Sequence, residues 1–418
     1  MRKGFFMPEN DLSRGMLKIR LTEGRSLRPV VGATVEITYE GEPEGETIRL
    51  ATDESGMTEE IELSTPELAY SLSDSEQQPY SLYTVRAAAP GYEDVEVAGT
   101  EVLPGVTALQ EISMEAGDSA DFERIVIGPH VLFGNYPPKI AEPEVLPVTE
   151  TGEIVLSRVV VPEYIVVHDG APTDSSAKDY WVRYRDYIKN VASSEIYATW
   201  EDAAIRANVL AIMSFTLNRV YTEYYRGRGY DFTLTSSTAF DQKWVYGRNI
   251  FDTISAVVDE MFGNYLSRPN VKQPLLTQYC DGRNVSCPNW LSQWGSQSLA
   301  QQGYSTIEIL RHYYGESIYI NTAEEISGVP ASWPGYDLAE GSSGQKVLQL
   351  QEELNVIAGA YPALPRIAED GVYGPATRAA VEKFQSIFGL PVTGGVDYRT
   401  WYKISEYYVG VSRIAEGI

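Results

Sequence analysis

Glu195 sits where a carboxyl could do acid chemistry. It closes the stretch Tyr187-Ile-Lys-Asn-Val-Ala-Ser-Ser-Glu195, whose last residues are small or apolar, and Trp200 follows within reach of a sugar face. Apolar neighbours raise the pKa of a carboxyl, which a general acid needs if it is to hold its proton near neutral pH. An ordinary surface glutamate on a helix is the competing reading. Asp241, Gln242, Tyr246, Arg248, Tyr279, Asp281 and Trp294 supply acids, amides and rings of the kind that line sugar clefts, with packing roles as the alternative for each. Other chemistries are poorly served. His130, His168 and His312, with Cys280 and Cys287, lack the clustered spacing of zinc ligands, so no metal is expected. No Gly-x-Ser-x-Gly elbow and no phosphate-cradling glycine loop occurs, and no cofactor is expected. The two cysteines are read as reduced, with a local disulfide as the alternative.

The elements that must position these residues read as a multidomain α+β chain. Its 418 residues have room for two to four domains. Residues 1–125 suggest an acidic β-sandwich, with period-two strands at Ala33-Thr-Val-Glu-Ile-Thr-Tyr39 and Tyr83-Thr-Val-Arg-Ala-Ala88 and turns at Asp53-Glu-Ser-Gly56 and Ala89-Pro-Gly-Tyr92. Residues 126–163 form a proline-rich connector, expected to be extended, partly exposed and open to proteases. Residues 164–325 read as a mixed α/β domain with helices over 200–226, 252–265 and 305–314. Residues 335–410 read as three helices, in which Val347, Leu350, Leu354, Ala380, Val381 and Phe384 recur at helical spacing and Asp370-Gly371 and Gly374 turn the chain towards a helix starting near Thr377.

Composition excludes some partners. With 33 Lys and Arg against 58 Asp and Glu, for a net charge of −25, a nucleic-acid backbone is not expected to bind. No apolar run is long enough to span a membrane, and the first 23 residues do not read as a signal peptide. A cell wall would then be reached by another route, such as engulfment in a developing spore.

Four resemblances sharpen this reading. Gly341-x-x-Gly344-x-x-Val347-x-x-Leu350-Gln351-x-x-Leu354, Asp370-Gly371-x-Tyr373-Gly374-x-x-Thr377, Phe384-Gln385 and Thr393-Gly394 resemble the peptidoglycan-binding domain of cell-wall hydrolases. Pro29-x-x-Gly32-Ala33-x-Val35, Asp53-x-x-Gly56 and Pro90-Gly91-Tyr92 resemble the carboxypeptidase-regulatory-like, transthyretin-like sandwich. The Glu195 segment, continuing through Trp200 and Ala204-Ile-Arg-Ala-Asn-Val-Leu-Ala211, resembles the SpoIID/LytB family of lytic transglycosylases, whose catalytic glutamate maps onto Glu195. Asn208, Met213 and Tyr197 depart from that family's usual Gln, Arg and Pro. The module order, with Ser236-Thr-Ala-Phe-Asp-Gln242, Tyr246-Gly-Arg-Asn249 and Trp290-Leu-Ser-Gln-Trp-Gly295, resembles the SleC-type spore cortex-lytic enzymes of clostridia. These resemblances imply cleavage of the MurNAc–GlcNAc bond of peptidoglycan to 1,6-anhydro ends. They also imply a zymogen cut by a germination protease between about residues 147 and 177, and a place in the spore cortex or coat, or the cell wall. A non-catalytic wall-binding or coat protein is the alternative.

Overall fold

The computed structural model describes residues 12–24, 26–73, 77–117, 122–130, 139–145, 158–285 and 287–412. The chain divides into two compact units: Met1–Leu68, Gln78–Ile127 and Gly328–Ile418 form the first, and Ala69–Gln77 with Gly128–Ser327 the second.

The first unit opens with two sheets. One is built on β1 (Leu12–Glu23), which pairs antiparallel with β2 (Arg28–Pro29) and β5 (Ile61–Pro66) and parallel with β8 (Thr107–Met114). The other runs β4 (Thr47–Ala51), β3 (Thr34–Tyr39), β6 (Ser81–Ala88), β7 (Asp94–Val102) and β9 (Phe122–Val126), antiparallel until the last, parallel pair. Both expected strands are present, each with alternate residues buried. Leu17, Ile19 and Leu21 from one sheet and Val35, Val85 and Val97 from the other leave water completely, at about 1.5–3 kcal/mol each. Buried Thr100 of β7 donates to Gln110 Oε1 of β8 at 2.8 Å, so even the polar pair between the sheets is satisfied. The expected turn at Asp53 is tied by its carboxylate, which accepts from the N–H groups of Ser55 and Met57, and Gly56 takes a left-handed φ of 71° that a side chain would resist.

The second unit contains α1 (Ala69–Leu72), β10 (Val160–Val161), β11 (Tyr164–His168), β12 (Asp179–Arg183), α2 (Tyr184–Glu195), α3 (Asp202–Tyr221), β13 (Leu234–Thr235), α4 (Asp252–Met261), α5 (Gln293–Gln301) and α6 (Thr306–Tyr314). β11 is the centre of a three-stranded sheet, with β12 antiparallel on one side and β13 parallel on the other. α3 and α4 end short of the expected 226 and 265: half-buried Thr222 and Glu223 follow α3, Glu223 with a positive φ of 46°, and Gly263 and the strand Asn264–Ser267 follow α4. α6 starts where expected, with Ser305 and Glu308 forming a capping box.

Three helices end the first unit: α7 (Gln345–Ala360), α8 (Pro375–Ile387) and α9 (Tyr398–Ser412). All six residues expected at their core are buried. α8 begins at Pro375, ahead of Thr377, because proline at the first helical position gives up an N–H that has no partner there anyway. Two buried glutamines clamp the turns. Gln351 Oε1 accepts from the N–H groups of Asp370 and Gly371 at 3.1 and 2.8 Å, and Gln385 Oε1 accepts from those of Thr393 and Gly394, both at 2.9 Å.

The connector is partly exposed, as expected, but tied down: among its described parts, 128–130 and 139–145 form no helix or strand, and several of their residues pair with side chains of the second unit. His130 is buried, Glu142 pairs with Arg219 at 2.6 Å, and Glu144 pairs with Arg268 at 2.8 Å. Beyond Val126 of β9, only Val160 and Val161, at the connector's far end, join a short parallel pair with Glu325 and Ile326 among the described residues, while its carboxylates find fixed guanidinium groups. Residues 146–157, where part of the expected cleavage region falls, lie outside the described residues.

Candidate active site

Helix α2 places Glu195 at its last position, and it carries polar side chains into the interior along the way. Each is answered. Arg185 and Lys189 reach Asp259 of α4 at 3.3 and 2.8 Å. Asn190 donates to the Val245 carbonyl at 2.8 Å and accepts from the Val245 N–H at 2.9 Å. Ser193 and Ser194, fully buried and small, let the last turn approach its neighbours closely. Asn190 therefore holds the 243–246 loop beside the end of the helix, where the Lys243 N–H donates to Glu195 Oε1 at 2.7 Å.

Glu195 is 6% exposed, so the expected proximity of a carboxyl to apolar groups is realised by depth. Its second oxygen, Oε2, is buried and completes no hydrogen bond within the protein. The Tyr279 hydroxyl lies close enough to act on the carboxyl, yet neither group reaches good hydrogen-bond geometry towards the other. Burial pushes the Glu195 carboxyl up from its usual range. The Lys139 ammonium pulls the other way, as do the Lys243 N–H and the Tyr279 hydroxyl, without cancelling the effect of burial.

The other sequence-derived candidates divide into three groups. Tyr279, Asp241 and Gln242 are near Glu195 but play different parts. Asp241 is fully buried: Oδ1 accepts from Arg219 at 2.8 Å, and Oδ2 accepts from the Tyr225 hydroxyl at 2.6 Å and from the Thr235 N–H and hydroxyl at 2.9 and 2.8 Å. Gln242 accepts from the Tyr187 hydroxyl at 3.0 Å and donates to the Ile212 carbonyl at 3.1 Å. Both hold the floor of the site together and point no free group outward.

Tyr246 and Arg248 continue the loop that carries Lys243. Tyr246 is exposed and stacks on Tyr180 at 4.7 Å, whereas Arg248 is buried and donates to the Gly128 carbonyl at 2.6 Å. Trp200, Asp281 and Trp294 belong to packing. The Trp200 indole N–H donates to the Ser71 carbonyl at 3.0 Å, and its ring lies 5.0 Å from that of Trp294, so no face is open to a sugar. Asp281 accepts from the N–H groups of Arg283, Asn284 and Val285, at 3.2, 3.0 and 3.0 Å.

That loop corrects the cysteine reading. Cys280 and Cys287 form a disulfide, with Cα atoms 5.8 Å apart. Asp281 folds the intervening segment, and Gly282 takes φ 84°, where an added Cβ would collide with the Ser292 hydroxyl. The closed loop brings together two cysteines that spacing alone left undecided.

Sequence reasoning missed Lys139. It is the cation between Pro-Pro and Ile-Ala-Glu in an otherwise acidic stretch, which is the signal that could have marked it. Its ammonium donates to the Asp241 carbonyl at 3.1 Å and sits 4.3 Å from the centre of the Tyr279 ring. Among the described residues no three His, Cys, Asp or Glu side chains group as metal ligands, and no helix is long and apolar enough to cross a membrane.

Residues 343–404 match the family model described as a putative peptidoglycan binding domain. Over 74 residues the chain is 45% identical to the zinc D-Ala-D-Ala carboxypeptidase of Streptomyces albus G, a match covering 18% of this chain and 27% of that protein. The chain thus spans about a quarter of the length of this curated relative. Among solved structures, the Bacillus anthracis TIE protein is similar at 23% identity, over 26% of this chain and 19% of that one, with a TM-score of 0.17. The C-terminal helices of this mixed α/β, multidomain chain form a peptidoglycan-binding domain.

Proposed function

We propose that this protein is a lytic transglycosylase of the SpoIID/LytB type that cuts peptidoglycan glycan strands, with Glu195 as its single acid and base. The observation carrying this reading is the Glu195 carboxyl itself: buried at a helix end, anchored through Oε1, and left with an unengaged Oε2. Protonated Glu195 gives its proton to the oxygen linking N-acetylmuramic acid to N-acetylglucosamine as that bond breaks through an oxocarbenium-like state. The resulting carboxylate takes the proton of the sugar's C6 hydroxyl, whose oxygen closes onto C1. One bond breaks, one forms, the proton passes through Glu195, and no water is consumed.

A hydrolase would need a second carboxylate as nucleophile or base. Asp241, the nearby candidate, commits both oxygens to Arg219, Tyr225 and Thr235, which favours the one-carboxyl mechanism. The peptidoglycan-binding domain supplies the substrate class. The disulfide supports work outside a reducing cytosol, in keeping with the spore cortex, coat or wall. The N-terminal sheets are then a transthyretin-like regulatory module, and the connector is the segment that a germination protease cuts in a zymogen.

The similarity to a zinc D-Ala-D-Ala carboxypeptidase favours a second reading, cleavage of the peptide stems. The described residues offer no three-ligand cluster for such a metal. The deciding experiment incubates purified spore-cortex peptidoglycan with the full chain, before and after limited proteolysis, and identifies the products by mass spectrometry. Anhydro-muramic ends after proteolysis are expected. Released terminal D-Ala would establish the peptidase, and intact glycan still bound to the protein would establish a non-catalytic binder.

A further inference from the structure

The segments 128–130 and 139–145 lie on the same side chains that build the candidate site. The Lys243 ammonium donates to the Pro129 carbonyl at 2.9 Å, while the N–H of that residue holds Glu195. The His130 ring lies 4.9 Å from that of Tyr197, two residues past the acid. Further on, Gln278, next to Tyr279, donates to the Ile140 carbonyl at 2.7 Å and accepts from the Glu142 N–H at 3.0 Å. The connector therefore touches Lys243, Tyr197 and Gln278, which are partners of Glu195 or lie close to it or its partners in sequence, and it does so largely through backbone amides. Amides are also what an N-acetylated sugar offers, so the contacts that hold the connector are contacts an acetamido-bearing glycan could replace.

We propose that Lys139, carried by these segments, is a lock on the acid: the ammonium sets its positive charge beside the Glu195 carboxyl, so that in the unaltered chain proton donation becomes available only after the connector leaves. This regulation rests on the reading of Glu195 as the acid. The lock has a simple electrostatic form. A nearby cation favours the charged carboxylate, which is the form that cannot donate. The groups facing Glu195 are Lys139 from the connector, Lys243 and its N–H from the loop, Tyr279 from its short strand and Tyr187 from α2. Of these, Lys139 is the charge that the connector brings and that leaves with it. Asp241 accepts from the ammonium through its carbonyl and Tyr279 offers it a ring face, and both favour the charged form against the burial that pulls its pKa down.

The test uses the full chain, with Lys139→Met, Lys139→Arg and, as a control on the other connector cation, Arg158→Met, which removes an ion pair with Glu325. Release of anhydro-muropeptides is followed from pH 5 to 8, and urea unfolding is measured for a cycle of Lys139→Met with Glu195→Gln. Lys139→Met is expected to raise release about tenfold on the alkaline side, since each unit by which the acid's pKa rises gives tenfold more protonated form there. Lys139→Arg and Arg158→Met should behave as the unaltered chain, and the two substitutions of the cycle should be non-additive. Additive unfolding, or a pH profile unchanged by Lys139→Met, would overturn the lock. If the cycle is non-additive but no variant yields anhydro ends, even after cutting between residues 146 and 157, the lytic reading itself has failed and the lock falls with it.

Discussion

Glu195 and Glu353 are both buried helix glutamates, 6% and 3% exposed, and burial pushes both carboxyls up, Glu353 to about 7. They differ in what surrounds them. Glu353 lies on α7 of the peptidoglycan-binding domain, and its Oε1 accepts from Gln349, one turn earlier on the same helix, at 2.8 Å. Lys346, also of α7, and Ser405 of α9 are its other moderating neighbours. Glu195 instead takes its neighbours from separate parts of the second unit: a loop N–H, a strand tyrosine and a connector lysine. Burial alone moves a carboxyl into the range of a general acid. What sets Glu195 apart is a partner set drawn from a loop, a short strand and the connector, with Oε2 left without a hydrogen bond.

Replacing each carboxyl by its amide should separate the two most sharply. Glu195→Gln, in the proteolytically cut chain, is expected to reduce anhydro-muropeptide formation by about 10²–10⁴-fold, the usual contribution of a positioned acid. Glu353→Gln should leave it within about twofold. Rates of product release by mass spectrometry decide this, and equal losses in both variants would mean that burial, not partner set, marks the important carboxyl.

Much of this contrast was legible in the sequence on one side only. Small residues before Glu195 and the helical spacing in 343–404 are local patterns; the second led to the helices of the peptidoglycan-binding domain, and the first to a carboxyl that the structure buries. Glu353 sits among polar neighbours, Gln351 and Glu352, in a helix whose buried face is visible only through Leu350 and Leu354, so its burial depends on packing against α9. Trp200 and Trp294 looked equally suited to sugars and to cores. Their fate was decided by Ser71, more than a hundred residues away, which takes the Trp200 N–H. Lys139 and the disulfide were obscured for the same reason: each depends on a contact or loop closure that no short-range periodicity records.

The same pair of glutamates should differ in how pH acts on stability. Glu353 has a folded pKa near 7 and an ordinary value of 4.5. The folded state therefore binds its proton more tightly, and the stability this contributes is present below about pH 4.5 and lost as the pH rises through 7. The loss is on the order of 3 kcal/mol across that window. Hydrogen exchange in α7 and α9 should quicken between pH 5 and pH 7.5 beyond the intrinsic change, and Glu353→Gln should flatten the dependence. A flat profile in the unaltered protein would show that Gln349 and Lys346 offset burial more fully than the surroundings suggest.

The smallest effect concerns the tyrosine that Glu353 has no counterpart for. Tyr279→Phe keeps the ring face under the Lys139 ammonium but removes the hydroxyl near the Glu195 carboxyl. That hydroxyl favours the carboxylate, so its loss should move the alkaline limb of the pH profile upward. It should also remove support for the carboxylate formed once the proton has been given away. In the cut chain kcat is expected to fall about tenfold, about 1.4 kcal/mol of transition-state stabilisation, with KM unchanged. A raised KM at constant kcat would instead make Tyr279 a residue that holds the sugar, and would leave the Lys243 N–H as the principal hydrogen-bond donor that sets the chemistry of Glu195 apart from that of Glu353.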